Sequence, residues 1–102
     1  MKTYTLVISR AALNDILDAQ SWYEKQRKGL SLDFELCLEG GYKDVLSNPV
    51  GFQIKYKTIR VKYISRFPYG IHYLIERDTI FVLGVFHTGK NPKKWIERTD
   101  LS

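Results

Sequence analysis

The sequence is poor in residues that staple, ligate or span. It has a single cysteine, Cys37. One thiol closes no internal disulfide, and Cys37 has no cysteine neighbours from which to build a zinc site. The two histidines, His72 and His87, stand apart from Cys, Asp and Glu, so there is no metal-ligand spacing. No run approaches the roughly 20 apolar residues of a membrane-spanning helix. The opening stretch, MKTYTLVISR, is too short in apolar residues for a secretory signal. There are no repeats, no low-complexity segments and no long linker. A cytoplasmic protein is expected, with no membrane contact, no cofactor and no metal.

What is present is the material of one small core. At 102 residues, 44% hydrophobic and 14% aromatic, the chain fits one domain over residues 1–102. The net charge of +5 is uneven. Residues 1–50 hold six Lys/Arg and seven Asp/Glu, whereas residues 51–102 hold ten and four. The positive field therefore belongs to the second half. It favours an anionic partner, either nucleic acid or an acidic protein segment, without choosing between them.

Tyr4–Ser9 reads as a first strand, with Ser9 as N-cap of the helix that follows. Ala12, Ile16, Ala19 and Tyr23 form its apolar stripe, and Lys28-Gly29 ends it. Ser31 is expected to cap a second helix reaching Ser47, where Asn48-Pro49 stops it. Phe34, Leu38, Gly41, Tyr42 and Val45 share a face of that helix, and Gly41 is read as a point of close helix approach. The rest reads as β: QIKYK, IRVKYIS, YGIHYLIE and TIFVLGVFH. Apolar parity switches near Thr58, which predicts a break or bulge. If the apolar residues face the helices, Lys55, Lys57, Arg60 and Lys62 line the open face of the sheet, and His72 faces the same way. The fold class is α+β, in the order β-α-α-β-β-β: a helical hairpin packed on one face of a small, mostly antiparallel sheet.

Arg66-Phe67-Pro68-Tyr69, the strand through Val85, then His87 and Pro92 to Trp95, taken with this element order, resemble the RelE/ParE toxin superfamily. Its members are the toxins of type II toxin–antitoxin modules, often described as plasmid stabilisation proteins. The ParE-like branch is the nearer. HTGKNPKKW, after the last strand, lacks the arginine and the late tyrosine usual in the RelE branch, although Lys90 also departs from the arginine frequent in ParE-like toxins. The resemblance implies a basic protein that binds a macromolecular target, DNA gyrase in the ParE case, and is neutralised by the acidic segment of a cognate antitoxin. No catalytic residue is expected on that reading.

Under it, Lys55, Arg60, Lys62 and Arg66 are expected to contact the antitoxin. Tyr69, His87, Lys90, Lys93, Lys94, Trp95 and Arg98 are expected to form the effector surface. A second reading is a RelE-like, ribosome-dependent mRNA endoribonuclease, with Lys55, Lys57, Arg60 and His87 stabilising charge and moving protons. A third is a degenerate toxin that serves only as a binding module. Leu32 and Leu36 lie off the main stripe of the second helix. They either pack under the tail of the chain or form an exposed patch.

Overall fold

The computed structural model describes residues 3–89 and 96–98. Strand β1 (Thr5–Ile8) leads into helix α1 (Arg10–Gln26) and helix α2 (Leu30–Ser47). A short 3-10 turn, Pro49–Gly51, precedes β2 (Ile54–Tyr56), β3 (Ile59–Tyr63), β4 (Tyr69–Glu76) and β5 (Thr79–His87). The sheet order is β1-β5-β4-β3-β2. Only β1 and β5 run parallel; the other pairs are antiparallel.

The α+β fold is as expected, with one strand more. The parity switch near Thr58 is a reversal of the chain, so that β2 and β3 are separate antiparallel strands. Lys57 sits in the turn at φ 51. The order is therefore β-α-α-β-β-β-β.

Local chemistry sets the helix ends. The Ser9 hydroxyl accepts the Ala12 N–H at 3.0 Å, as an N-cap should. Gly29 takes a left-handed φ of 88 and lets the chain turn into α2. Ser31 is not the cap of α2. The Glu24 carboxylate, reaching from α1, accepts the N–H groups of Gly29 (3.1 Å) and Ser31 (3.2 Å) and the Ser31 hydroxyl (2.7 Å). These bonds, the Ser31 hydroxyl first, hold the Glu24 carboxyl below its ordinary range. An anion at a helix N-terminus also meets the positive end of the helix dipole.

The core lies between the helical hairpin and one face of the sheet. Ala12, Ile16, Ala19 and Tyr23 of α1 and Phe34, Leu38 and Val45 of α2 meet Ile71, Tyr73, Ile80, Val82 and Val85. The Tyr73 hydroxyl, buried here, donates to the Pro49 carbonyl at 2.6 Å and so anchors the turn after α2. Burial pushes its pKa up to about 12. Gly41 does mark a close approach, but the neighbour is the sheet. A Cβ there would stand 2.8 Å from Ile71 Cδ1 and 3.0 Å from Ile64 Cγ2. Gly40, beside it, has nothing within 4 Å of that position, although a glycine inside a helix costs about 1 kcal/mol relative to alanine.

The face assignment of β3 is reversed from expectation. Arg60 stands opposite Tyr73 and Lys62 opposite Ile71, so both cations lie on the helix face. The Arg60 guanidinium donates to the Val50 carbonyl at 3.1 Å and the Phe52 carbonyl at 2.6 Å. Lys62 pairs with Asp44 of α2 at 3.4 Å and lies over the Phe52 ring. Long side chains at the rim cover apolar surface with their stems and deliver charge to polar groups beyond it. Val61, opposite His72, faces the other way and is buried. That other face is thus apolar at its centre rather than lined by a row of cations.

His72 belongs to this second face. It is 6% exposed and lies edge-on to Phe86, with ring centroids 4.9 Å apart. Burial, reinforced by the charges of Lys55 and Arg98, lowers its pKa to about 4. The folded value lies below the ordinary 6.5, so neutral His72 supports the fold above that pH, and the support is lost as pH falls towards 4. Urea midpoints should fall between pH 6.5 and pH 4 by the equivalent of about 2–3 kcal/mol. In His72→Phe that part of the slope should vanish. An unchanged slope in the variant would contradict the assignment.

Candidate functional site

Two depressions in the described surface take in several of the expected site residues. The larger, about 810 Å³, runs between α1 and the paired ends of β4 and β5. Its α1 wall carries Asp15, Asp18, Trp22 and Tyr23; its floor carries Tyr69, Val85 and His87; Glu97 and Arg98 close the far side.

The strand register builds this groove. Tyr69 and His87 are direct partners across β4 and β5. Their rings lie edge to face at 5.2 Å. Tyr69 also meets Phe34 at 5.2 Å and Tyr23 at 6.1 Å, and Tyr23 meets Trp22 at 5.0 Å. An aromatic path therefore leads from Trp22, 57% exposed, to the end of β5. The Gly89 N–H donates to His87 Nδ1 at 2.9 Å, which leaves the neutral ring its proton on Nε2. Burial raises the Tyr69 phenol, helped by Tyr23 and Asp15, and burial raises that of Tyr23. Both phenols are donors at neutral pH, not bases.

Arg98 is a strut in this wall. Its guanidinium pairs with Asp15, lies over the Phe86 ring at 4.7 Å, and reaches the Leu83 carbonyl at 3.4 Å. Asp15 also accepts the Val85 N–H at 3.1 Å. Asp18 and Glu97 add negative charge at the rim.

The smaller cleft, about 340 Å³, opens between α2 and the β3–β4 connection. Asp33, Leu36, Cys37, Gly40 and Asp44 line one side, Lys62, Ile64, Ser65 and Arg66 the other. Arg66 turns the chain at φ 69 and approaches Asp33 at 3.9 Å. Together with Lys62 and Asp44, this makes the cleft a place of paired charges.

Of the residues expected on the effector surface, Tyr69, His87 and Arg98 line the larger groove. Lys90, Lys93, Lys94 and Trp95 lie outside the described residues. Of the residues expected to meet an antitoxin, Lys62 and Arg66 share the smaller cleft; Lys55 and Arg60 line neither depression. The set Lys55, Lys57, Arg60 and His87 does not converge. His87 aligns with Tyr69 and Arg60 with Tyr73, four positions along β4. At about 3.4 Å per residue that is roughly 14 Å along the strand alone, beyond the reach of shared proton transfer. The sequence did not single out Asp15, Asp18 or Trp22 as site residues. A helix-surface tryptophan next to the buried Tyr23 was the available signal. Among the described residues, no group of three or more His, Cys, Asp or Glu is placed to hold a metal ion, and no helix is long and apolar enough to cross a membrane.

No family model matches the sequence, and no curated protein matches it. Among solved structures, the chain is similar to one described as the chromosomal ParDE TA system from P. aeruginosa. The TM-score is 0.74 at 15% identity, covering 83% of this chain and 96% of that one. The likeness establishes a shared fold: a helical hairpin against a five-stranded sheet.

Proposed function

We propose that this chain is the toxin of a type II toxin–antitoxin pair, ParE-like, acting by binding a macromolecular target and held inactive by a cognate antitoxin. The observation that carries the reading is the likeness to a chain of a ParDE system over nearly all of that chain's length. The basic second half of the sequence is consistent with it, because a positive field speeds encounter with an acidic segment.

The candidate residues take different parts in this proposal. Lys55, Lys62 and Arg66 supply charged contacts to the antitoxin, Lys62 and Arg66 by exchanging their present partners in the smaller cleft. Arg60 serves the turn after α2 before it serves any partner. The effector surface centres on Tyr69 and His87, with Lys90, Lys93, Lys94 and Trp95 following in the chain. DNA gyrase is the target that the ParE resemblance implies. The separation of Arg60 from His87 speaks against an endoribonuclease built on Lys55, Lys57, Arg60 and His87.

Expression of the chain alone should stop growth of the host, and an altered gyrase should relieve the arrest. Ribosome toeprinting on the same cells should show no new cut. A cut within the occupied codon would replace this reading with the ribonuclease one. Unimpaired growth would mark the chain as a binding module only.

A further inference from the structure

The outer edge of β5 is left open where the larger groove begins. β1 pairs with β5 only as far as Ile8 opposite Val82, yet β5 runs on to His87. Leu83 is the extra residue of a bulge, because Gly84 pairs with His72 and Val82 with Tyr73. Beyond the bulge the phase of the ladder is fixed. The Thr88 N–H donates to the Pro68 carbonyl at 2.8 Å, so Phe86 and Gly84 turn their backbone groups to β4, and Leu83, Val85 and His87 turn theirs outward. Two of these outward groups are taken. The Leu83 carbonyl accepts from Ser9 and Arg98, and the Val85 N–H donates to Asp15. The Val85 carbonyl and the His87 N–H have no partner among the described residues. They flank Phe86. One residue of an incoming parallel strand can meet such a pair, its N–H on the carbonyl and its C=O on the N–H. Val85, Phe86 and His87 all line the groove.

The rest of the groove selects what can pair there. The chain carries a net +5, but the groove lining holds three carboxylates, Asp15, Asp18 and Glu97, against one guanidinium, Arg98. Asp15 and Arg98 neutralise each other. Asp18 and Glu97 are exposed and form no ion pair with any described residue. Trp22 follows Asp18 by one turn of α1 and is 57% exposed. An indole face beside a carboxylate attracts a cation twice, through the ring and through the charge. A phosphate backbone or an acidic segment meets repulsion at the same place. We propose that the groove takes an extended, lysine- or arginine-bearing segment of a target protein, added as a strand parallel to β5. Its main chain bonds Val85 and His87, and its cationic side chains meet Asp18, Glu97 and Trp22. Charge then sorts two partners: an acidic antitoxin segment to Lys62 and Arg66, a basic segment to this groove. The chemistry of the segment follows from the groove; only its identity as the target of a toxin rests on the reading above.

Fluorescence anisotropy of the full chain with a labelled peptide that alternates lysine and valine tests this. The peptide should bind, and its counterpart with glutamate for lysine should bind about tenfold more weakly or worse. Asp18→Lys and Glu97→Lys should each weaken the lysine peptide by about tenfold with circular dichroism unchanged, and Trp22→Ala should weaken it as well. Strand addition has its own signature in amide exchange followed by NMR. Saturating peptide should protect the His87 N–H, whereas the Val85 N–H, already held by Asp15, should change little. Equal binding of the lysine and glutamate peptides, no binding at near-millimolar peptide, or a His87 amide that exchanges as before would each overturn the proposal. So would binding that appears only in the Lys93→Glu, Lys94→Glu double variant, since the chain's own lysines would then be the occupant. Capture of single-stranded RNA that Trp22→Ala abolishes would give the groove to nucleic acid and overturn it too. Growth arrest on expression is scored separately. Peptide binding by a chain that leaves growth unimpaired upholds the groove and ends the toxin reading; arrest by a chain that binds no peptide does the reverse.

Discussion

Phe34→Ala lowers the unfolding free energy by about 3–5 kcal/mol. Phe34 is fully buried, and its ring is the hub of the hairpin-to-sheet contact. It stacks on Tyr23 of α1 at 5.4 Å and meets Phe67 at 5.3 Å and Tyr69 at 5.2 Å edge to face. Truncation removes the transfer energy of the ring and leaves a cavity walled by three aromatic side chains too stiff to collapse into it. A domain of this size has about 5–15 kcal/mol in all, so the loss is a large share. Urea denaturation of Phe34→Ala and Leu36→Ala makes the comparison. Leu36 lies two residues on but is mostly exposed, and its truncation should change stability by less than about 0.5 kcal/mol in dilute solution. A cost below about 1 kcal/mol for Phe34→Ala would contradict the core described above. The same variant should disturb the larger groove, because Tyr69 loses the ring it leans on.

Asp15→Ala destabilises by about 2–3 kcal/mol, somewhat less than a fully buried pair would cost to break. Asp15 and Arg98 are 18% and 27% exposed, so water screens them only in part. The substitution leaves the Arg98 guanidinium without its carboxylate and the Val85 N–H without its acceptor. Either orphaned group carries a desolvation cost. A double-mutant cycle with Arg98→Met separates the two. Asp15→Ala with Arg98→Met should cost less than the two singles together, because no cation is then stranded. Strict additivity would mean that the pair does not hold residues 96–98 against α1. Asp15→Asn should recover part of the loss through Val85, since the amide oxygen still accepts.

Much of the fold is legible in the sequence where one period dominates. The stripe Ala12, Ile16, Ala19 and Tyr23 fixes the buried side of α1, and all four are buried. Phe34, Leu38, Gly41 and Val45 do the same for α2. Asn48-Pro49 ends that helix as proline chemistry requires. β3 misleads because its alternation has two apolar-looking answers. Ile59 and Val61 resemble core residues and are buried, but on the face away from the helices; Arg60 and Lys62 use long stems to sit on the helix side. Only the pairing with β4, which sets Arg60 beside Tyr73, decides the matter. Ser31 misleads for a similar reason. Its own side chain can cap, but the Glu24 carboxylate, from the last turn of α1, already occupies the helix end, and nothing local reveals that. The groove was half legible. Tyr69 and His87 stood out, whereas Asp15 and Trp22 joined them only when the hairpin folded across the strand ends.

The most direct test of the toxin reading is co-purification of the tagged chain with the product of its adjacent gene, followed by titration of the two separated proteins. A stable complex is predicted, weakened by Lys62→Glu and Arg66→Glu and tolerant of substitutions confined to the β2–β3 turn. A chain that emerges alone, and binds the neighbouring product no better than the charge-reversed variants do, would contradict it.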